Sequence, residues 1–161
     1  MKFLKLIYNT QIRSDKMSNK KDWGLTVRGV VKEEDKILIL RRHPKSRNNP
    51  LKYELPGGKV DPGEFFDVAL VREFQEETNL DVKIDSLFEV VQDEFISRRT
   101  NQPISTVQLM MNLEIIGGEL QISDEHDDFK WVKSGELKEL YNENMLTPTL
   151  RKTLEKRNFE I

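Results

Sequence analysis

Cysteine is absent from all 161 residues. That excludes a disulfide framework, a thiol nucleophile and a thiolate metal site, and it agrees with a cytoplasmic location. No apolar run approaches the length of a membrane span. The apolar start, residues 1–8, is interrupted by Lys5 before it reaches the length of a secretion-signal core, and no small-residue cleavage site follows it. Excess positive charge is missing as well. The 26 Lys and Arg stand against 28 Asp and Glu, for a net charge of -2 and a pI near 5.8. This argues against a general nucleic-acid binder, while a local basic pocket or a bound cation still permits a single nucleotide as ligand. Internal repeats and low-complexity linkers are lacking too. What is present, 37% hydrophobic and 34% charged residues, suits one domain with a real core and a highly charged surface.

Along the chain, residues 1–21 read as a loosely held N-terminal extension, with Met17 as an alternative start. From Trp23 the pattern changes. Leu25, Val27 and Val31 alternate with polar residues, Glu33-Glu34-Asp35 turns, and Ile37 to Leu40 return, which predicts a β-hairpin. A basic loop over residues 41–52 leads to a short apolar strand, residues 53–55, ending at Pro56-Gly57-Gly58. Asp61-Pro62-Gly63-Glu64 forms a second turn before a helix over residues 65–78. Strands are expected at residues 82–84, 87–95, 106–116 and 129–132. Two closing helices follow at residues 134–141 and 147–159, Pro148 falling in a first turn. The economical architecture is one α+β domain with a mixed sheet and flanking helices.

The helix at residues 65–78 is unusual. With Phe66 at zero and roughly 100° per residue, Ala69, Leu70 and Phe74 form an apolar stripe. Glu73, Glu76 and Glu77 fall on an arc of roughly 100° in line with that stripe rather than opposite it. Carboxylates so placed repel one another, more so when partly buried, and Arg72 relieves only part of this. A divalent cation removes the conflict. Hard oxygen donors with no cysteine and no local histidine suit Mg²⁺, with Mn²⁺ as a substitute, better than Zn²⁺. The glycines before the helix allow close backbone approach, and Glu64 sits at the helix entrance, where the dipole favours an acid.

These residues resemble the box of the Nudix hydrolase family (MutT-like pyrophosphohydrolases), G-x5-E-x7-R-E-u-x-E-E-x-G-u with u apolar. Gly58, Glu64, Arg72-Glu73, Phe74, Glu76-Glu77 and Leu80 fill it, and Asn79 stands where the family has glycine. Asparagine tolerates the left-handed conformation that ends a helix. Six of seven fixed letters at fixed spacing match by chance on the order of once in 10⁷ starts. The resemblance spans about residues 22–158 and implies a Nudix hydrolase domain over residues 22–161. It further implies an α/β/α sandwich with the box helix packed on a mixed sheet.

By that resemblance Glu73, Glu76 and Glu77 are the metal ligands, with the Gly58 carbonyl an additional donor. Arg72 orients a glutamate, and Glu64 supports the ligands or holds a second cation through water. The reaction implied is attack of water on one phosphorus of a diphosphate in a small nucleotide or nucleoside diphosphate derivative, a nucleoside triphosphate being the default substrate. Glu76 and Glu77 are equal candidates for activating that water. Glu125, or Asp124 in its place, is the candidate acid from outside the box, and His126 is expected to be structural. Cationic partners for phosphate are sought in Lys59, Arg41, Arg42, Arg98 and Arg99. A base-stacking aromatic is sought in Phe95, Tyr53 or Trp131. A nucleotide-sensing protein of the same fold without catalysis, and an RNA 5′-end pyrophosphohydrolase, are the alternative readings. The first conflicts with the intact acids, and the second with the acidic pI, although the basic stretch at residues 41–47 keeps it open. A homodimer would form through an exposed strand such as residues 107–111.

Overall fold

The computed structural model describes residues 23–97 and 101–161. The expected extension at residues 1–21 lies outside them, as do Arg98 and Arg99. The first apolar alternation forms β1 (Trp23–Glu33) and β2 (Lys36–Arg42), turning through Glu34, whose φ is 55°. The two strands pair only at Lys32 with Ile37 and Glu33 with Lys36, then part. The edge of β1 that β2 leaves is taken by the loop after β3 (Tyr53–Glu54). Gly29 N–H donates to the Pro56 carbonyl at 2.8 Å, Val27 N–H to that of Gly58 at 2.8 Å, and Val60 N–H to that of Leu25 at 3.0 Å. The glycine turn is thereby pinned to the sheet by backbone bonds, which positions everything that follows.

β5 (Pro103–Gly118) runs parallel to β1, from Trp23 opposite Ser105 to Val31 opposite Leu113. The other pairings are antiparallel. The strand order is β3-β2-β1-β5-β4, and β6 (His126–Val132) adds to β2. The sheet is mixed, as expected. Where the sequence suggested two strands at residues 82–84 and 87–95, one continuous β4 (Leu80–Ile96) is found. Its register shifts between Ile84 and Ser86 and between Leu87 and Glu89. Such bulges absorb the polar Asp85-Ser86 step while backbone pairing to β5 goes on. A second correction concerns β5. It lies between β1 and β4, so residues 107–111 are interior to the sheet and offer no free edge to a partner.

Helix α1 (Phe66–Thr78) buries Ala69, Leu70 and Phe74 on one sheet face, against Val27, Val31, Leu38, Leu40 and Met111. Phe74 is fully buried, worth about 2–3 kcal/mol of transfer free energy. It reaches the sheet because Gly29 beneath it has no side chain; a Cβ there would stand 2.6 Å from its ring. The opposite face is covered by α2 (Ser134–Asn142) and α3 (Pro148–Lys156), whose Leu137, Leu150 and Leu154 pack on Val30, Ile37, Ile39 and Met110. Helix, sheet and helices form the expected α/β/α sandwich. Among the described residues no helix is long and apolar enough to cross a membrane.

Candidate active site

The site is built where the glycine turn meets the second half of α1. Gly57 has φ of +128°, and a Cβ there would lie 2.3 Å from the Val27 carbonyl oxygen. It is required for the turn and for approach to β1. Gly58 meets a different neighbour: its Cβ would lie 2.2 Å from Glu73 Oε2. Its absent side chain makes room for a carboxylate. The Gly58 carbonyl accepts from Val27 N–H, which leaves its second lone pair as the only one available to another partner.

Arg72 gathers the acids. It donates to both oxygens of Glu64 at 2.9 Å, to Glu73 Oε1 at 2.9 Å and to Glu76 Oε2 at 3.2 Å. The two parallel bonds to Glu64 are the strong, geometrically specific kind. They, with the backbone of Asp61, hold the Glu64 carboxyl at about 2. Glu73, half-buried, is pushed the other way by desolvation, with Arg72 opposing. Glu76 is the accessible member, its side chain 57% exposed.

Glu77 is buried and takes a hydrogen bond from Gly57 N–H at 2.7 Å. Desolvation raises its carboxyl to about 7, although Arg28 and His126 favour the charged form. Behind it lies a group that the sequence reading did not single out. Glu54, also buried, is paired to Arg28 at 3.1 Å and Arg42 at 2.5 Å, with His126 Nε2 at 3.4 Å from its Oε1. Burial works to raise its carboxyl, but Arg28, His126 and Arg42 outweigh it and bring it to about 2. Arg28 also donates to the carbonyls of Leu55 at 3.0 Å and Gly57 at 2.5 Å. It ties Glu54 to the same turn whose Gly57 N–H holds Glu77. A signal existed in the sequence. Arg28 and Glu54 each interrupt an otherwise apolar strand, and a charge buried in a strand has a partner or a task.

The other expected cations are distributed less favourably. Arg41 pairs with Asp127 at 2.7 Å and lies over the Tyr53 ring rather than by the carboxylates. Arg42 is committed to Glu54 and the Asn48 carbonyl. Lys59 is exposed beside the turn, its carbonyl accepting from Arg72 at 3.5 Å. Of the aromatics, Tyr53 is core, its hydroxyl donating to Asp128 at 2.6 Å. Trp131 packs against the α1-side cluster. Asp124 and Glu125 are exposed, on a loop brought to the end of α1 by Ser123 N–H donating to the Glu77 carbonyl. His126 is buried, with Nδ1 unpartnered among the described residues.

Among the described residues no three acids or histidines already stand together as a cation cage, because Arg72 draws Glu64, Glu73 and Glu76 to itself. The donor set nonetheless fits a hard cation. It offers the carboxylates of Glu64, Glu73, Glu76 and Glu77 at one turn, with no sulfur, and Glu77 is held by desolvation in a state that a nearby positive charge would relieve.

Compared with known protein families, residues 22–156 match the NUDIX domain. The chain belongs to the Nudix family. This Nudix chain is 36% identical over 104 residues to an ADP-ribose pyrophosphatase of Methanocaldococcus jannaschii, covering 63% of this chain and 57% of that protein. It is 36% identical over 70 residues to an 8-oxo-dGTP diphosphatase of Escherichia coli K12, covering 44% of this chain and 54% of that one. The chain thus spans little more than half the length of these curated relatives. Among solved structures, a MutT protein from Methanosarcina mazei Go1 superposes with a TM-score of 0.72 at 25% identity, over 85% of this chain and 94% of that one.

Proposed function

We propose that this Nudix protein is a cytoplasmic, Mg²⁺-dependent pyrophosphohydrolase that cleaves the diphosphate of a nucleoside diphosphate derivative, with nucleoside triphosphates as the preferred class. The observation that carries the reading is the convergence of Glu64, Glu73, Glu76 and Glu77 on one glycine turn, within a chain whose family is known. Named relatives acting on ADP-ribose and on 8-oxo-dGTP share only the nucleoside-linked diphosphate, and that shared chemistry supports the reading better than either compound does.

Glu73, Glu76 and Glu77 would hold the cation, which when bound neutralises phosphate oxygens and favours attack by water. The protein's own groups do the rest. Arg72 gathers Glu73 and Glu76 on one guanidinium nitrogen and offsets their mutual repulsion, and Gly57 N–H fixes Glu77. Glu76, the solvent-accessible carboxylate, accepts a proton from the attacking water as its oxygen bonds to phosphorus. The bond from that phosphorus to the bridging oxygen breaks, and the second phosphate leaves with the electron pair. Lys59, exposed beside the turn, would meet a phosphate.

The test is release of phosphate or pyrophosphate from nucleoside triphosphates, ADP-ribose, nucleotide sugars and dinucleoside polyphosphates, with Mg²⁺ and with Mn²⁺, for the wild type and Glu76→Gln. Metal-dependent turnover reduced by about 100-fold or more in the variant is expected. Absence of turnover on every compound, with tight nucleotide binding retained, would instead identify a sensor.

A further inference from the structure

β4 lies at the margin of the sheet: among the described residues its one strand neighbour is β5. An edge strand presents a row of unpaired N–H and C=O groups, a template on which another strand can add, and natural edges are kept short for that reason. At 17 residues β4 is long. Its middle, however, is not bare. The Phe88 carbonyl accepts from Arg157 Nη1 at 3.2 Å, that of Val90 from Lys156 Nζ at 2.9 Å and that of Gln92 from Lys152 Nζ at 3.2 Å. Alternate residues of a strand turn their backbone groups the same way, so these are three successive acceptors of the edge. Outward donors are taken too. Val90 N–H donates to Glu89 Oε1 at 2.8 Å and Glu94 N–H to Asp93 Oδ1 at 2.9 Å. Those same carboxylate oxygens pair with Lys156 and Lys152, each at 2.7 Å.

The fit is one of pitch. Lys152 and Lys156 stand one turn apart on one face of α3, about 6 Å along its axis. Val90 and Gln92 are two residues apart on β4, about 6.7 Å. Helix and strand run in opposite directions, so the two lysines meet successive outward carbonyls. Thr149, in the first turn of α3, donates to the second oxygen of Asp93, and the Arg157 guanidinium lies 4.1 Å over the Phe88 ring. Each ion pair thus offers the strand one donor and one acceptor, as a neighbouring strand would. Stability does not explain the arrangement. The lysine side chains are 48% and 54% exposed, and ion pairs so exposed contribute little. Exclusion of another strand does explain it, because the groups engaged are those that a further strand would need.

We propose that the edge of β4 is a latent self-association surface sealed by α3: Lys152, Lys156 and Arg157, with Glu89 and Asp93, occupy the backbone groups to which β4 of a second copy of this chain would otherwise bond. A two-fold axis through the edge sets the two strands antiparallel, and identical strands then offer each other matching donors and acceptors. The carboxylates of α1 take no part in this, whether or not the protein turns over a nucleotide.

The experiment is sedimentation velocity of the full chain over a concentration series, for the wild type and a variant carrying Lys152→Met, Lys156→Met, Glu89→Thr and Asp93→Thr. The four changes remove two charges of each sign and keep the net charge at -2, so general repulsion between copies is unaltered. Circular dichroism melts report whether each variant folds. The variant is expected to form, as concentration rises, a species of twice the wild-type mass. Adding Val90→Pro, which deletes one outward N–H at an edge where proline is tolerated, is expected to return it to the wild-type state. Should the fourfold variant not fold, Lys156→Met with Glu89→Thr, which bares both backbone groups of Val90, is read in the same way. Sedimentation of a folded variant identical to that of the wild type overturns the proposal. Association that persists with proline in place overturns it as well, and assigns the contact to the substituted side chains instead of the edge.

Discussion

Gly57 and Gly58 are neighbours of one residue type, and the fold uses them for different ends. At Gly57 the backbone sits at φ +128° with the Val27 carbonyl 2.3 Å from any Cβ, so no side-chain movement relieves a substitution. Gly57→Ala is expected to cost on the order of 3 kcal/mol in a urea unfolding curve, from strain and overlap together. At Gly58 the obstacle is the Glu73 carboxylate, the far end of a side chain that can turn away. Gly58→Ala is expected to leave stability within about 1 kcal/mol but to lower kcat/KM roughly 100-fold, the usual cost of misplacing a catalytic group by about 1 Å. Equal stability losses in the two variants would refute this division. That the pair forms a turn was legible in the sequence. Which glycine serves the backbone and which serves a carboxylate depends on what approaches each from elsewhere in the chain.

On the scale of elements, α1 was the most readable part of the molecule, because its apolar stripe and its acids share one period and its start and stop are local. Its end tests the one departure from the family pattern. Asn79 adopts φ 58° and ψ 16°, and its N–H donates to the Gln75 carbonyl. Its side chain donates to the Glu119 carbonyl at 3.0 Å. Asparagine therefore supplies the left-handed cap that glycine would, and adds a tie to the chain after β5. Asn79→Ala, lacking both features, is expected to lower stability by about 1–2 kcal/mol. Asn79→Gly, which loses the tie but relieves the backbone, should stay within about 0.5 kcal/mol, and a larger loss would make the side-chain bond the dominant contribution. β4 was misread as two strands because apolar alternation lapses at Asp85-Ser86, whereas the pairing that defines the strand belongs to β5.

For the molecule as a whole, the buried acids give the metal-free protein a distinctive dependence on pH. Glu77, raised to about 7 from an ordinary glutamate value near 4.5, contributes stability fully below pH 4.5 and loses it as pH rises through 7. That loss is roughly 3 kcal/mol at about 1.4 kcal/mol per unit. Glu54, lowered to about 2, acts in the opposite sense: its contribution is present above pH 4.5 and disappears as pH falls through 2. Denaturant midpoints measured in EDTA from about pH 3 to pH 8 should therefore peak near 4.5, and added Mg²⁺ should restore stability on the alkaline side. A midpoint flat between pH 5 and 8 in EDTA would mean that Glu77 ionises without penalty and is not desolvated as described.

By itself the sequence determined an α+β domain with a mixed sheet and flanking helices and the row of acids on α1, the sandwich arrangement coming with the family resemblance. Those follow from periodicity, from turn residues and from a motif whose spacing lies within one helix and its approach loop, all of them short-range. Only the tertiary structure decided that Arg72 holds two of those acids, Glu73 and Glu76, together with Glu64 from the approach turn. It alone brought Arg28, Arg42 and His126, from three strands, to the buried Glu54. The Glu54 cluster joins residues far apart in the chain whose proximity is set by strand pairing, and whose charges and hydrogen-bonding groups acquire their meaning only once water has been removed from between them.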